Sequence, residues 1–214
     1  ARQYPLESES ALGWRLVREL AVEAAGVLEG EFHQQAGRNG RVSIQTDPRH
    51  YRDAAAITQQ AIEFSALAPN VIVKIPVTSQ GLVAMEEATF AGVSINATVS
   101  FTVAQALAVA EAVERGLQRR LAAGLAIDSI SSVCTIMVGR LDDYMRALVE
   151  VEGVSIDPGH LEWAGIAVFK RAYAVYQERG YRLRLLSAAF RNHMHWSELV
   201  GGDVVISPPF PWQE

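Results

Sequence analysis

Short runs of β-branched and aliphatic residues alternate with longer amphipathic stretches from one end of this chain to the other. Few folds satisfy that rhythm. Residues 42–46, 71–77, 94–100, 133–138, 183–188 and 204–207 read as strands. Most are nearly continuous in Val, Ile and Leu, the pattern of a strand covered on both faces. Between them the helical period predicts helices over about 53–67, 80–91, 103–123, 141–149 and 160–179. A first helix is expected over 7–35, with Pro5 and the nearby serines as its start signal. Gly81, Gly92, Gly124 and Gly180 are expected to stop helices. Strand–helix alternation throughout predicts an α/β fold with a parallel sheet. With 214 residues, 50% hydrophobic content and no linker-like tract, one domain over residues 1–214 is expected.

Six strands fit either an open doubly wound sheet or part of a (β/α)8 barrel. Polar residues interrupt or directly follow several strands: Gln45, Lys74, Asn96 with Thr98, Thr135 ahead of Arg140, and Arg191. A site assembled from the ends of many strands is the mark of a barrel. A doubly wound sheet gathers its ligand groups at one switch point, usually with a glycine-rich phosphate loop, and neither GxGxxG nor GxxxxGK[ST] occurs here. The barrel is the expected architecture.

The net charge of −5, with no long Lys/Arg run, argues against a nucleic-acid partner. The densest basic cluster, Arg115 to Arg120, has Glu111 and Glu114 beside it and reads as a solvated helix face. A single cysteine, Cys134, cannot form an intrachain disulfide and fits a reducing compartment. No signal peptide opens the chain, and charge or glycine interrupts every long apolar stretch. A soluble cytoplasmic protein with no membrane partner is expected.

Only two of the 19 basic residues are lysines, and Lys74 stands inside the apolar run Val71-Ile-Val-Lys-Ile-Pro-Val77. Arginine stays protonated under ordinary conditions, whereas a desolvated lysine can reach a pKa at which the free amine is populated. A free amine attacks carbonyls and forms Schiff bases. The plainer alternative is a lysine that reaches past the strand end to a carboxylate. Pro76 and Thr78 follow at once, placing Lys74 near the carboxyl end of its strand, where barrel chemistry occurs. Lys170, beside Arg171 in a helical pattern, reads as an ordinary surface charge.

Around such an amine, Gln45 could position a water, and the Thr98 hydroxyl could hold the same water because it donates and accepts. Alternation puts Asn96 and Thr98 on one strand face, pointing into the barrel or satisfying each other. Arg140 and Arg191 each closely follow a strand, as anion ligands would, and arginine's planar fork suits phosphate. His193 and His195 with Trp196 form a metal-like cluster without a third ligand in sequence, so no metal is expected. Phe169, Tyr173 and Tyr176 have helical spacing and read as core.

These segments resemble those of the transaldolases and the related fructose-6-phosphate aldolases. Val73-Lys-Ile-Pro-Val-Thr-Ser-Gln-Gly81 looks like the family's Schiff-base strand, with Lys74 as its lysine. Gly92 to Thr98, running on to Phe101 and Gln105-Ala106, is similar to the next strand and its helix. Val138-Gly-Arg-Leu-Asp-Asp143 matches the strand–Arg segment, Ser187 to Asn192 the late phosphate-binding segment, and Val204 to Pro208 the final strand. The resemblance implies a lysine imine that moves a dihydroxyacetone unit between sugar phosphates, with no cofactor. It implies catalytic roles for Lys74, Gln45, Thr98 and Asn96, and substrate contacts by Thr135, Arg140 and Arg191. An aldolase that releases free dihydroxyacetone, or a non-catalytic sugar-phosphate-binding barrel, are the alternatives.

The chain departs from the family pattern in several places. Gln45 stands where transaldolases carry glutamate, as in the aldolase branch, and Met137 matches neither branch. Thr135 replaces a serine, and Ala189 removes a hydroxyl from the implied phosphate site. The family's first two strands, which bear an aspartate and an asparagine, have no counterpart, nor has a covering helix beyond Glu214. About six strands cannot close an eight-stranded barrel without two open edges. A central fragment of a longer barrel is therefore expected, poorly stable alone or covering its edges as a homo-oligomer.

Overall fold

The computed structural model describes residues 7–213; Pro5 lies outside them. Six strands occur where the apolar runs place them: β1 Val42–Gln45, β2 Val71–Pro76, β3 Ile95–Ser100, β4 Val133–Met137, β5 Arg184–Ala188 and β6 Val204–Ser207. The helices are α1 Glu9–Gln34, α2 Ala54–Ser65, α3 Ser79–Phe90, α4 Val103–Ala122, α5 Val138–Glu152, α6 Pro158–Leu161, α7 Ala164–Arg179 and α8 Met194–Ser197. Their starts are written locally. Ser8, Asp53 and Thr78 accept backbone N–H bonds at the heads of α1, α2 and α3, and Thr102 with Gln105 forms a reciprocal box at α4.

All strands are parallel and pair in sequence order, β1 through β6. No pairing closes β6 on β1 among the described residues, so the sheet is an incomplete, curled half-barrel with helices on its outer side. The outer layer holds the main core: Val73, Ile75, Ile95, Ile136 and Leu185 pack against Ile57, Phe64, Met85 and Phe169 of the helices. A second, small apolar group of Ile72, Val133 and Leu186, with Val205 against it, lies on the other face. Residues two apart on a strand share a face, so this group marks the concave side. At the amino ends of the strands the chain is drawn together: Arg38, ahead of β1, pairs with Asp203, and Arg184 Nη2 donates to the Arg38 carbonyl (2.6 Å). Arg38 and Arg184 border a cavity of about 210 Å3 in the lower concave face.

Three expectations change. Gly81 is the third residue of α3, at its start and not its end, because its missing side chain admits the Pro76 carbonyl. The predicted helix 160–179 is two helices, and the N–H of Gly165 at the head of α7 donates to the Asp142 carboxylate (2.9 Å). The 115–120 cluster ties helices together: Arg115 and Arg119 pair with Glu86, and Arg119 also with Glu87, between α4 and α3.

Cys134 is fully buried in β4, and burial pushes its thiol up to about 12. A thiol without thiolate is unreactive. Ellman's reagent at pH 8 should therefore leave the native protein unmodified over a time in which the urea-unfolded chain reacts completely.

Candidate active site

Alternation from Ile72 puts Lys74 on the concave face, near the carboxyl end of β2. Gln45, Lys74 and Asn96 are register partners on β1, β2 and β3, so their side chains form one row. Lys74 is half-buried, and among the described residues no carboxylate lies within 4 Å of its amine. Desolvation pushes its pKa below the ordinary ammonium value, and no charge among the described residues opposes it. The alternative of a lysine reaching out to a carboxylate finds no support in this geometry.

The groups around the amine divide in two. Asn96 Nδ2 donates to Ser43 Oγ (3.0 Å), and Thr135 Oγ1 donates to Asn96 Oδ1 (2.7 Å). Asn96 thus reaches across β2 to β1 as well as to β4, and it pairs with Ser43 and Thr135, not with Thr98. Ser43 was not expected, although it lies one alternation step before Gln45. Gln45 Nε2 donates to the Lys74 carbonyl (3.1 Å), which also accepts from the Thr46 N–H (3.0 Å) and hydroxyl (3.1 Å). Thr98 is 5% exposed, and its hydroxyl has no protein partner among the described residues. It is the group best left over to hold a water or a substrate hydroxyl.

Arg140 and Arg191 converge on one carboxylate beyond the ends of β4 and β5. Arg191 Nε and Nη2 donate to Asp143 (3.1 and 2.8 Å), while Nη1 donates to the carbonyls of Ala189 and Phe190 (3.1 and 3.0 Å). Arg140 Nη1 lies 3.8 Å and Arg146 Nη1 3.9 Å from Asp143. Most Arg191 donors are therefore occupied, whereas Arg140 is 58% exposed and largely free. An open apolar cleft of about 490 Å3, lined by Val99, Phe101, Met137, Leu141 and Tyr144, lies beside Arg140. No hydrogen bond among the described residues joins this basic group to the Lys74 row.

Backbone strain sits at the same strand ends. Val99, β-branched, has φ +57° at a register shift in β3, and Ala189 has φ +64° just after β5. Each costs on the order of 1–3 kcal/mol, and such strain concentrates at functional sites. Gly139 makes room for the second turn, since a Cβ there would stand 2.0 Å from the Ala189 carbonyl oxygen.

His195 is wholly buried with both ring nitrogens engaged. Nδ1 accepts the Arg191 N–H (3.0 Å), which leaves Nε2 as the donor to Asp142 Oδ2 (2.8 Å). His193, the other half of the metal-like pair, precedes α8 and is exposed. Asp142 was missed in the sequence because an acidic residue in a helix pattern looks like surface.

A curled, incomplete parallel sheet with helices on its outer side, and a desolvated lysine near the carboxyl end of one strand, defines a partial barrel of the α/β class. The profile of the "Transaldolase/Fructose-6-phosphate aldolase" family matches residues 3–210. Among curated proteins, the chain is 36% identical over 173 residues to "Transaldolase 1" of Streptomyces coelicolor, covering 79% of this chain and 45% of that one. It is 35% identical over 157 residues to the transaldolase of Mycolicibacterium smegmatis, covering 72% and 42%. "Transaldolase 1" of Streptomyces avermitilis is similar at 34% over 157 residues, again 72% and 42%. The chain belongs to the transaldolase/fructose-6-phosphate aldolase family, and it spans less than half the length of these relatives.

Proposed function

We propose that this chain carries the catalytic lysine of a transaldolase-type transferase, which moves a dihydroxyacetone unit between sugar phosphates. The observation that carries the reading is Lys74: desolvated, unpaired and on the concave face near the end of β2. Its neutral amine adds to the C2 carbonyl of a ketose phosphate, and loss of water forms an iminium. Removal of the C4 hydroxyl proton then breaks the C3–C4 bond, whose electron pair flows into the iminium. An aldose phosphate departs and an enamine remains on the lysine. The enamine adds to a second aldehyde, and hydrolysis returns the amine. Gln45 has no basic group, so the proton passes to a water, for which the Thr98 hydroxyl provides a partner. Arg140 and Arg191 receive the phosphate.

Borohydride added with fructose 6-phosphate should leave a stable mass increase on the peptide containing Lys74. No adduct, or one that persists in Lys74→Arg, overturns the proposal. A second reading, an aldolase releasing free dihydroxyacetone, is favoured by Gln45, whose amide donates to the Lys74 carbonyl and cannot accept a proton as glutamate would. Turnover of fructose 6-phosphate in the absence of any acceptor aldose separates the two.

A further inference from the structure

Arg191 is held from two sides by consecutive residues of α5. Asp143 takes its guanidinium (2.8 Å), and Asp142, through His195, takes its backbone N–H (2.8 and 3.0 Å). We propose that Asp142 and His195 are positioning residues that set the turn after β5 so that Arg191, with Arg140, receives the phosphate of a phosphorylated sugar. The inference rests on the reading of Arg140 and Arg191 as the phosphate site.

The network is built for placement. Asp142 and His195 are both fully buried. Asp142 Oδ1 also accepts the N–H of Gly165, so one carboxylate ties α5, the head of α7 and the turn after β5. Ser187 Oγ donates to the His195 carbonyl (2.8 Å), anchoring α8 to β5. Asn192 Nδ2 lies 3.5 Å from Asp142 Oδ2 and 3.3 Å from His195 Nε2, while its buried Oδ1 has no partner among the described residues. The turn so held includes the left-handed Ala189, whose conformation local preference opposes. Without the clamp the turn would relax, and the Arg191 guanidinium would shift relative to Arg140. Because only the phosphate end of the substrate depends on that shift, the effect should select for phosphorylated substrates.

The test compares two ketones that borohydride can trap on Lys74: fructose 6-phosphate and dihydroxyacetone, which has no phosphate. In D142L/H195L, which removes both polar groups without leaving a charge unpaired, half-maximal trapping by fructose 6-phosphate should need ~30-fold more substrate. The dihydroxyacetone requirement should change by less than ~3-fold, and His195→Gln, which keeps an acceptor and a donor, should restore most of the loss. If both ketones weaken together, or neither does, the positioning role is overturned. Should the double variant not fold, His195→Asn, whose amide cannot span both partners, carries the same comparison. If wild-type protein traps neither ketone, the Lys74 chemistry has failed. The clamp is then read from calorimetric binding of inorganic phosphate, where weakening in the variants supports it and unchanged binding overturns it.

Discussion

Lys74→Met should abolish the borohydride-stable adduct and lower any turnover by at least about 10^4-fold, while making the fold more stable. On the proposed imine chemistry, Lys74→Met removes the nucleophile and with it the covalent route. The stability gain follows from the desolvated amine, whose pKa in the native protein lies below the ordinary value. Its folded pKa is lowered, so the unfolded chain binds more protons and wild-type stability must rise with pH. The penalty is full below the lowered folded pKa and disappears once pH passes the unfolded lysine value, about 10.4. At pH 7 the methionine variant should gain on the order of 1 kcal/mol, a figure kept small because water still screens the half-buried amine. Urea unfolding at pH 7 and pH 10 measures both. A wild type whose midpoint gains nothing relative to Lys74→Met between those values would mean that the amine is fully solvated.

Gly81→Ala should lower stability by about 3 kcal/mol, even though alanine favours helices by roughly 1 kcal/mol over glycine. An added Cβ would lie 1.9 Å from the Pro76 carbonyl oxygen, which is backbone at the end of β2 and cannot rotate away. The first turn of α3 must then lift off the strand that carries Lys74. A fall in the melting midpoint of roughly 10 °C is expected for a chain of this size. Gly13→Ala is the control: among the described residues nothing lies within 4 Å of a Cβ at that position in α1, so the same substitution there should stabilise by about 1 kcal/mol. If Gly81→Ala melts no lower than wild type, the tight α3–β2 approach is wrong.

Much of this architecture can be read from local pattern. The runs around Val73, Ile95, Ile136 and Leu185 are apolar because those strands are covered by helices, and a rhythm of strand and helix leaves little choice but a parallel sheet. Lys74 is legible for a related reason, since a charge inside such a run has a visible cost. The helix over 160–179 misled because its apolar period continues through Trp163, whereas the break depends on Asp142, a residue 23 positions before Gly165. Arg140 and Arg191 are visible as residues that follow strands, yet nothing local says that Asp143 joins them or that it occupies most of Arg191.

The sequence alone determined the parallel strand–helix order and the isolated lysine, because burial pattern and period are properties of neighbouring residues. Tertiary structure alone decided that Asn96 bridges Ser43 and Thr135, and that Asp142 holds His195 across 53 positions. Those pairings arise from the curl of the sheet and the packing of α5 and α7 against its end. A hydrogen bond between distant positions has no period for a linear chain to display.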